Sequence, residues 1–183
     1  MPNYDKLRLH RAIVFAAKAH QGQNRKGTDV PYIIHPFETG QILISAGCSE
    51  DVVIAGLLHD TIEDTETTTN EISQFFGLKV LGLVLSASED KRKTWEQRKQ
   101  HTIDYLRASA DYDEMLLTCA DKLSNLRSLR LEEEKSGEEV WQRFKRGRDL
   151  QSWYYREIIN VLEPIKDYEM YDELVQLYNE IFK

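Results

Sequence analysis

Residues 52–64 constrain the fold of this chain more than any other stretch: Val-Val-Ile-Ala-Gly-Leu-Leu-His59-Asp60-Thr-Ile-Glu63-Asp64. An apolar run drives straight into four ionisable side chains with no turn residue between them. Strong helix formers and the absence of Pro predict one helix here, starting in the core and ending polar. On such a helix Asp60, Glu63 and Asp64 share a face at i, i+3 and i+4, and His59 lies over Glu63. Like charges at that spacing repel, so something positive is expected among them, and a metal ion is the simplest candidate.

Nearly every other segment also reads as helix. Residues 4–20 carry a helical apolar arrangement, and 21–31, with Gly22, Gly27 and Pro31, form a loop. Pro36 suits the first turn of a helix over 36–46, which Gly47 closes, and Ser49 opens the central helix. The stretch Thr65–Asn70 ends that helix and caps another over 69–76, which Gly77 terminates. Residues 78–87 read as a short buried helix, with Val80 and Val84 leaving a strand open. Helices over 91–109 and 112–131 follow, and Gly137 separates them from 138–146. Segments 148–163 and 167–182, divided by Pro164, complete the chain. No repeat, low-complexity tract or linker interrupts it. The expectation is an all-α fold, one domain over 1–183 built as a bundle of about eight to ten helices.

Charge narrows the partners. With 24 basic and 31 acidic residues the net charge is −7, which argues against a nucleic-acid binder. No apolar signal region or membrane-length run is visible, so a cytoplasmic protein without membrane contact or an obligate protein partner is expected. Cys48 and Cys119 lie in apolar surroundings and read as buried, reduced thiols.

Four residues could make a metal site: His35 at a loop-to-helix junction, the adjacent pair His59-Asp60, and Asp121 at the end of an apolar run. Mixed imidazole and carboxylate ligation suits Mn, Fe, Zn or Co better than Ca, and leaves positions open for water and substrate. Glu63 and Asp64, one turn beyond the pair, are placed to orient or deprotonate an attacking water. Asn125, four residues after Asp121, shares its face and can hydrogen-bond a ligand. Arg25 and Lys26 sit beside Gly27 in the loop, a pairing suited to phosphate or a stacked base. Lys91, Arg92, Lys93, Arg98 and Lys99 form a second cationic cluster around Trp95. In an acidic chain, two such clusters point to a polyphosphorylated ligand. Trp141, Phe144, Trp153, Tyr154 and Tyr155 read as core packing.

The order His35 … His59-Asp60 … Asp121 resembles the HD phosphohydrolase superfamily. Longer strings sharpen the likeness: Arg25-Lys26-Gly27, Pro31-Tyr32-Ile33-Ile34-His35-Pro36, His59-Asp60-Thr61-Ile62-Glu63-Asp64-Thr65, and Ala120-Asp121-Lys122-Leu123-Ser124-Asn125-Leu126-Arg127 look like the hydrolase domain of the RelA/SpoT alarmone enzymes. The match runs from about residue 8 to 160, leaving 165–183 as a C-terminal helix. No synthetase segment follows it, so the chain looks like a stand-alone small alarmone hydrolase. The resemblance implies an HD-domain bundle with His35, His59, Asp60 and Asp121 binding one Mn ion, and Glu63 with Asp64 positioning and activating water. It implies further that Arg25 stacks on the base, that Asn125 and Ser128 contact the nucleoside, and that Lys26, Arg98 and Lys99 meet phosphates. The family reaction removes the 3′-pyrophosphate of (p)ppGpp, and some small members are thought to take adenine alarmones. Lys122 and Ser124 stand where the family often has Arg and His, and the segment around Trp95 matches only at Arg98-Lys99. Two other readings stay open: a different HD phosphohydrolase acting on a nucleotide or NADPH, and a module that senses a nucleotide without cleaving it.

Overall fold

The computed structural model describes residues 4–108 and 110–183. The start of the N-terminus, residues 1–3, and the last position of the helix expected over 91–109 lie outside the described residues. Among those described there are ten α-helices and two short 3-10 segments, with an isolated antiparallel bridge between Asn24 and Pro31.

Helix α1 (Lys6–Ala19) is capped by Asp5, whose carboxylate accepts from the amides of Leu7 and Arg8. Arg8 then ties it to the start of the central helix, reaching Glu50 at 3.0 Å and Asp51 at 2.7 Å. The loop that follows turns back through Gly22 and Gly27, both at positive φ, and leads into α2 (Ile34–Ser45). Gly47, at φ 71°, ends that connection before α3 (Glu50–Leu58). Every residue of α3 from Val52 to Leu58 is buried, and α3 lies between α2, α1 and two helices further along.

The single helix expected over 54–64 does not form. The chain breaks at His59–Asp60 and restarts as α4 (Thr61–Asp64). Two side chains compete for the carbonyls that would continue the ladder: His59 Nδ1 donates to Gly56 O at 2.8 Å and Thr61 Oγ1 to Leu58 O at 2.7 Å. Such local bonds offer the backbone an alternative to the helix. The break aims His59 inward while α4 carries Glu63 and Asp64 to the rim.

Helix α5 (Thr69–Phe76) opens on a reciprocal capping box between Thr68 and Glu71 and ends at Gly77, φ 91°. Residues 78–87 are helical, α6 (Leu78–Ala87), which settles the strand alternative. Helix α7 (Trp95–Ala108) starts later than expected because Asp90 accepts from Arg92 in a tight turn. Helix α8 (Tyr112–Ser136) is 25 residues, roughly 37 Å of continuous rod. The segment expected as a helix over 138–146 is a 3-10 stretch, Gly137–Arg143. Helices α9 (Gly147–Val161) and α10 (Glu169–Phe182) pack on each other, and α10 lies along α8. Cys48 and Cys119 are buried and free. No described helix is long and apolar enough to cross a membrane.

Helices α2 and α3 approach unusually closely. A Cβ on Gly56 would stand 2.5 Å from Leu43 Cδ1, and one on Gly40 would stand 2.8 Å from Leu57 Cδ2. At each position a leucine of the facing helix packs directly on the glycine backbone, and a larger residue would make that leucine shift, close to where the helices carry His35 and His59.

Candidate metal centre and adjoining cavity

Three elements bring His35, His59, Asp60 and Asp121 to one point: the first turn of α2, the break between α3 and α4, and the middle of α8. His35 and His59 are buried, and their Nε2 atoms lie 3.1 Å apart. Asp60 Oδ2 stands 3.1 Å from His59 Nε2 and 3.5 Å from His35 Nε2. Asp121 Oδ1 stands 3.2 Å and 3.8 Å from the same two nitrogens, His35 first.

The outer nitrogens fix which electron pairs face inward. His59 Nδ1 can only donate to the Gly56 carbonyl. Ser124 Oγ donates its hydrogen to Glu38 at 2.7 Å, so it accepts from His35 Nδ1 at 2.8 Å. Both Nε2 lone pairs therefore point at each other and at two carboxylates. Four acceptors so arranged call for a cation, and their separations match those of neighbouring donors around one ion bound at roughly 2.1 Å. His35, His59 and Asp121 each offer a donor atom within 4.8 Å of the others, a group that could hold a metal ion. The residues fit a divalent metal.

The same surroundings shift the titration of each group. Burial opposes charge on His59, but Asp60 and Asp121 outweigh it and raise the imidazole to about 9. Burial lowers His35 despite its hydrogen bond with Asp121. Burial also opposes ionisation of the carboxyls, yet His59 holds Asp60 low and Lys122 holds Asp121 low. Lys122 is itself a buried ion-pair partner, 2.6 Å from Asp121 Oδ2.

Glu63 and Asp64 form an outer rim. Tyr32 Oη donates to Asp60 Oδ2 at 2.6 Å and lies 3.2 Å from Asp64 Oδ2, joining rim to centre. Gln23 Nε2 donates to the Asp64 carbonyl at 2.8 Å. The positive group beside these carboxylates is Lys91, which pairs with Asp64 and donates to the Glu63 carbonyl at 2.7 Å. Glu63 Oε2 accepts from the Glu89 amide at 2.8 Å. Burial, with Asp60, Asp64 and Glu89 nearby, raises Glu63 above the ordinary carboxyl range.

The cationic clusters divide. Arg25 and Lys26 line a cavity of about 220 Å³ together with Tyr32 and Asn125, and Phe144 and Tyr155 face them. Arg25 donates to Asn125 Oδ1 at 2.7 Å, and Asn125 Nδ2 donates to Asp121 Oδ1 at 2.6 Å, so the cavity abuts the centre. Arg98 and Lys99 do not line this cavity; both lie 2.7 Å from Glu89, which pairs with them and whose amide donates to Glu63. Ser128 does not face the cavity ligand-side atoms; its hydroxyl donates to Glu132 at 3.1 Å. Trp95 packs on Trp153 and Tyr154. Of the aromatics read as packing, Trp141, Tyr154 and Tyr155 are buried, and Tyr155 with Phe144 also forms a cavity wall that no local signal marks. Tyr32, Glu38 and Glu89 also gained no role from sequence, since each acts through a partner distant in the chain.

Residues 12–149 match the family model described as HD domain. Over 124 residues the chain is 41% identical to the human guanosine-3′,5′-bis(diphosphate) 3′-pyrophosphohydrolase MESH1, covering 66% of this chain and 69% of that protein. It is 36% identical over 143 residues to a Myxococcus xanthus GTP pyrophosphokinase, of which it spans 19%. Among solved structures, one from Listeria monocytogenes EGD-e superposes with a TM-score of 0.75 at 44% identity, covering 81% of this chain and 98% of that one. A metazoan orthologue of SpoT, described as hydrolysing ppGpp and playing a role in starvation responses, superposes with a TM-score of 0.82 at 26% identity over 98% of both chains.

Proposed function

Since this chain belongs to the HD-domain family, we propose that it is a manganese-dependent pyrophosphohydrolase that removes the 3′-pyrophosphate of guanosine alarmones. The observation that carries this reading is the convergence of His35, His59, Asp60 and Asp121 beside a cavity walled by Arg25, Lys26 and Asn125. In this reading the described chain works as one HD domain, a core over about 8–160 with a C-terminal helix over 165–183, acting on a small nucleotide in the cytoplasm.

The four converging residues would hold the ion. A divalent metal there polarises a phosphoryl oxygen and makes water more acidic. The remaining chemistry belongs to the chain. Arg25, 2.7 Å from Asn125, stacks on the base through its planar guanidinium, and Asn125 contacts the ribose. Lys26 meets phosphate, as do Arg98 and Lys99 once the phosphates displace Glu89. Asp64 releases Lys91, takes the proton of the attacking water at Oδ1, and Glu63 orients that water through Oε1. The water oxygen bonds to the phosphorus on the 3′ oxygen, the bond to that oxygen breaks, and the oxygen takes a proton from solvent as Asp64 returns its own to solvent. GDP or GTP and pyrophosphate result.

The test is pyrophosphate release from ppGpp and ppApp by the purified protein with manganese. Release from ppGpp that stops on chelation and returns with manganese supports the reading. No release from either alarmone by metal-loaded protein rejects it in favour of another phosphohydrolase or a sensor.

A further inference from the structure

The cavity beside the metal centre has two ends, and α8 runs the length of it. Asn125 marks the inner end through its 2.6 Å bond to Asp121. Seven residues further along the same helix, Glu132 lines the outer end, joined there by Arg143. Two helical turns keep Glu132 on the Asn125 face and set it about 10 Å farther from the reaction centre. That span is the length of a nucleoside laid with its ribose at Asn125. Only the far edge of the base reaches Glu132.

The carboxylate is held for a ligand. Ser128 Oγ donates to Glu132 Oε1 at 3.1 Å, and Arg143 pairs with Oε2. Both side chains are about four-fifths out of water. The ion pair and the hydroxyl together fix the direction of the carboxylate. A carboxylate has about four acceptor positions, so two remain for a ligand after these contacts.

We propose that Glu132, seated by Ser128 and Arg143, selects guanine over adenine. This rests on the alarmone reading and adds a determinant of the base. The guanine edge carries two adjacent N–H donors, at N1 and N2, which a carboxylate accepts as a pair. Adenine turns a lone pair at N1 toward the same oxygens and has a single amino group on that edge, so the carboxylate meets repulsion and an unfilled acceptor. A site whose free acceptor positions meet a lone pair in place of two donors rejects the wrong base. The position of Ser128 follows: its hydroxyl orients the reader and leaves the base to Glu132.

The first measurement is equilibrium binding of GDP and of ADP to the manganese-loaded wild-type protein. GDP should bind at least about tenfold tighter, and the kcat/KM ratio for ppGpp over ppApp should be of the same order. Glu132→Gln should bring both preferences within about threefold while its manganese content and melting temperature match wild type. Ser128→Ala, which withdraws one hydrogen bond, gives the milder form of the same loss should the first variant not fold. Equal binding of GDP and ADP by the wild type overturns the proposal, as does a guanine preference that survives Glu132→Gln or, where that variant does not fold, Ser128→Ala. Absence of pyrophosphate release from both alarmones defeats the proposed reaction, and the GDP–ADP comparison then judges the base reader by itself.

Discussion

Asp60 and Asp64 lie four residues apart and are bridged by one tyrosine hydroxyl, yet their surroundings could hardly differ more. Around Asp60 the partners are buried and held by the frame of the protein: the Gly56 carbonyl on one histidine, the Ser124–Glu38 pair on the other. Around Asp64 the partner is Lys91, a side chain about half exposed. Long lysine side chains at that exposure are held weakly and exchange easily with solvent or phosphate. The inner group is thus held by the frame of the protein, and the rim is closed by a lysine that an incoming phosphate can draw away from Asp64. In the proposed reading, holding an ion and freeing a base for water are separate tasks, set at two depths.

Three substitutions would break or sharpen that division. His59→Ala removes an inner donor and should lose both manganese, by elemental analysis, and all measurable turnover. Retention of a full complement of metal would dissolve the distinction. Asp64→Ala touches only the rim: it should lower kcat by about 10²- to 10⁴-fold while metal content and nucleotide affinity hold. Metal lost together with activity would mean that rim and centre are one unit. Ser124→Ala leaves every inward donor in place but strips His35 Nδ1 of its partner. Metal affinity should fall by about 10- to 100-fold, read by competition with a chelator, with kcat at saturating metal nearly unchanged.

Where local chemistry governs, the sequence was readable. The Thr68–Glu71 capping box and the glycines at 47 and 77 mark helix ends because each acts within a few residues. The four donors around His59-Asp60 stood out because a polar pair after an apolar run has few other uses. The helix break at that pair was not readable, because it arises from side chains taking carbonyls that helix propensity assumes are free. The pairing of the second cationic cluster was hidden for a related reason. Glu89 sits 9 and 10 residues before Arg98 and Lys99 and pairs with both across a turn, and a count of charges along the chain does not show who faces whom. Phe144 and Tyr155 look like any packing aromatic until the fold brings them to one cavity with Arg25.

Gly40 and Gly56 have no side chain to offer, and beyond the Gly56 carbonyl that holds His59 they act as a caliper. The two imidazoles ride on different helices, so the gap between their nitrogens is inherited from how closely those helices can seat. Two absent methyl groups set that clearance. The spacing of the two imidazoles is therefore a mechanical tolerance, machined in part into the contact between α2 and α3.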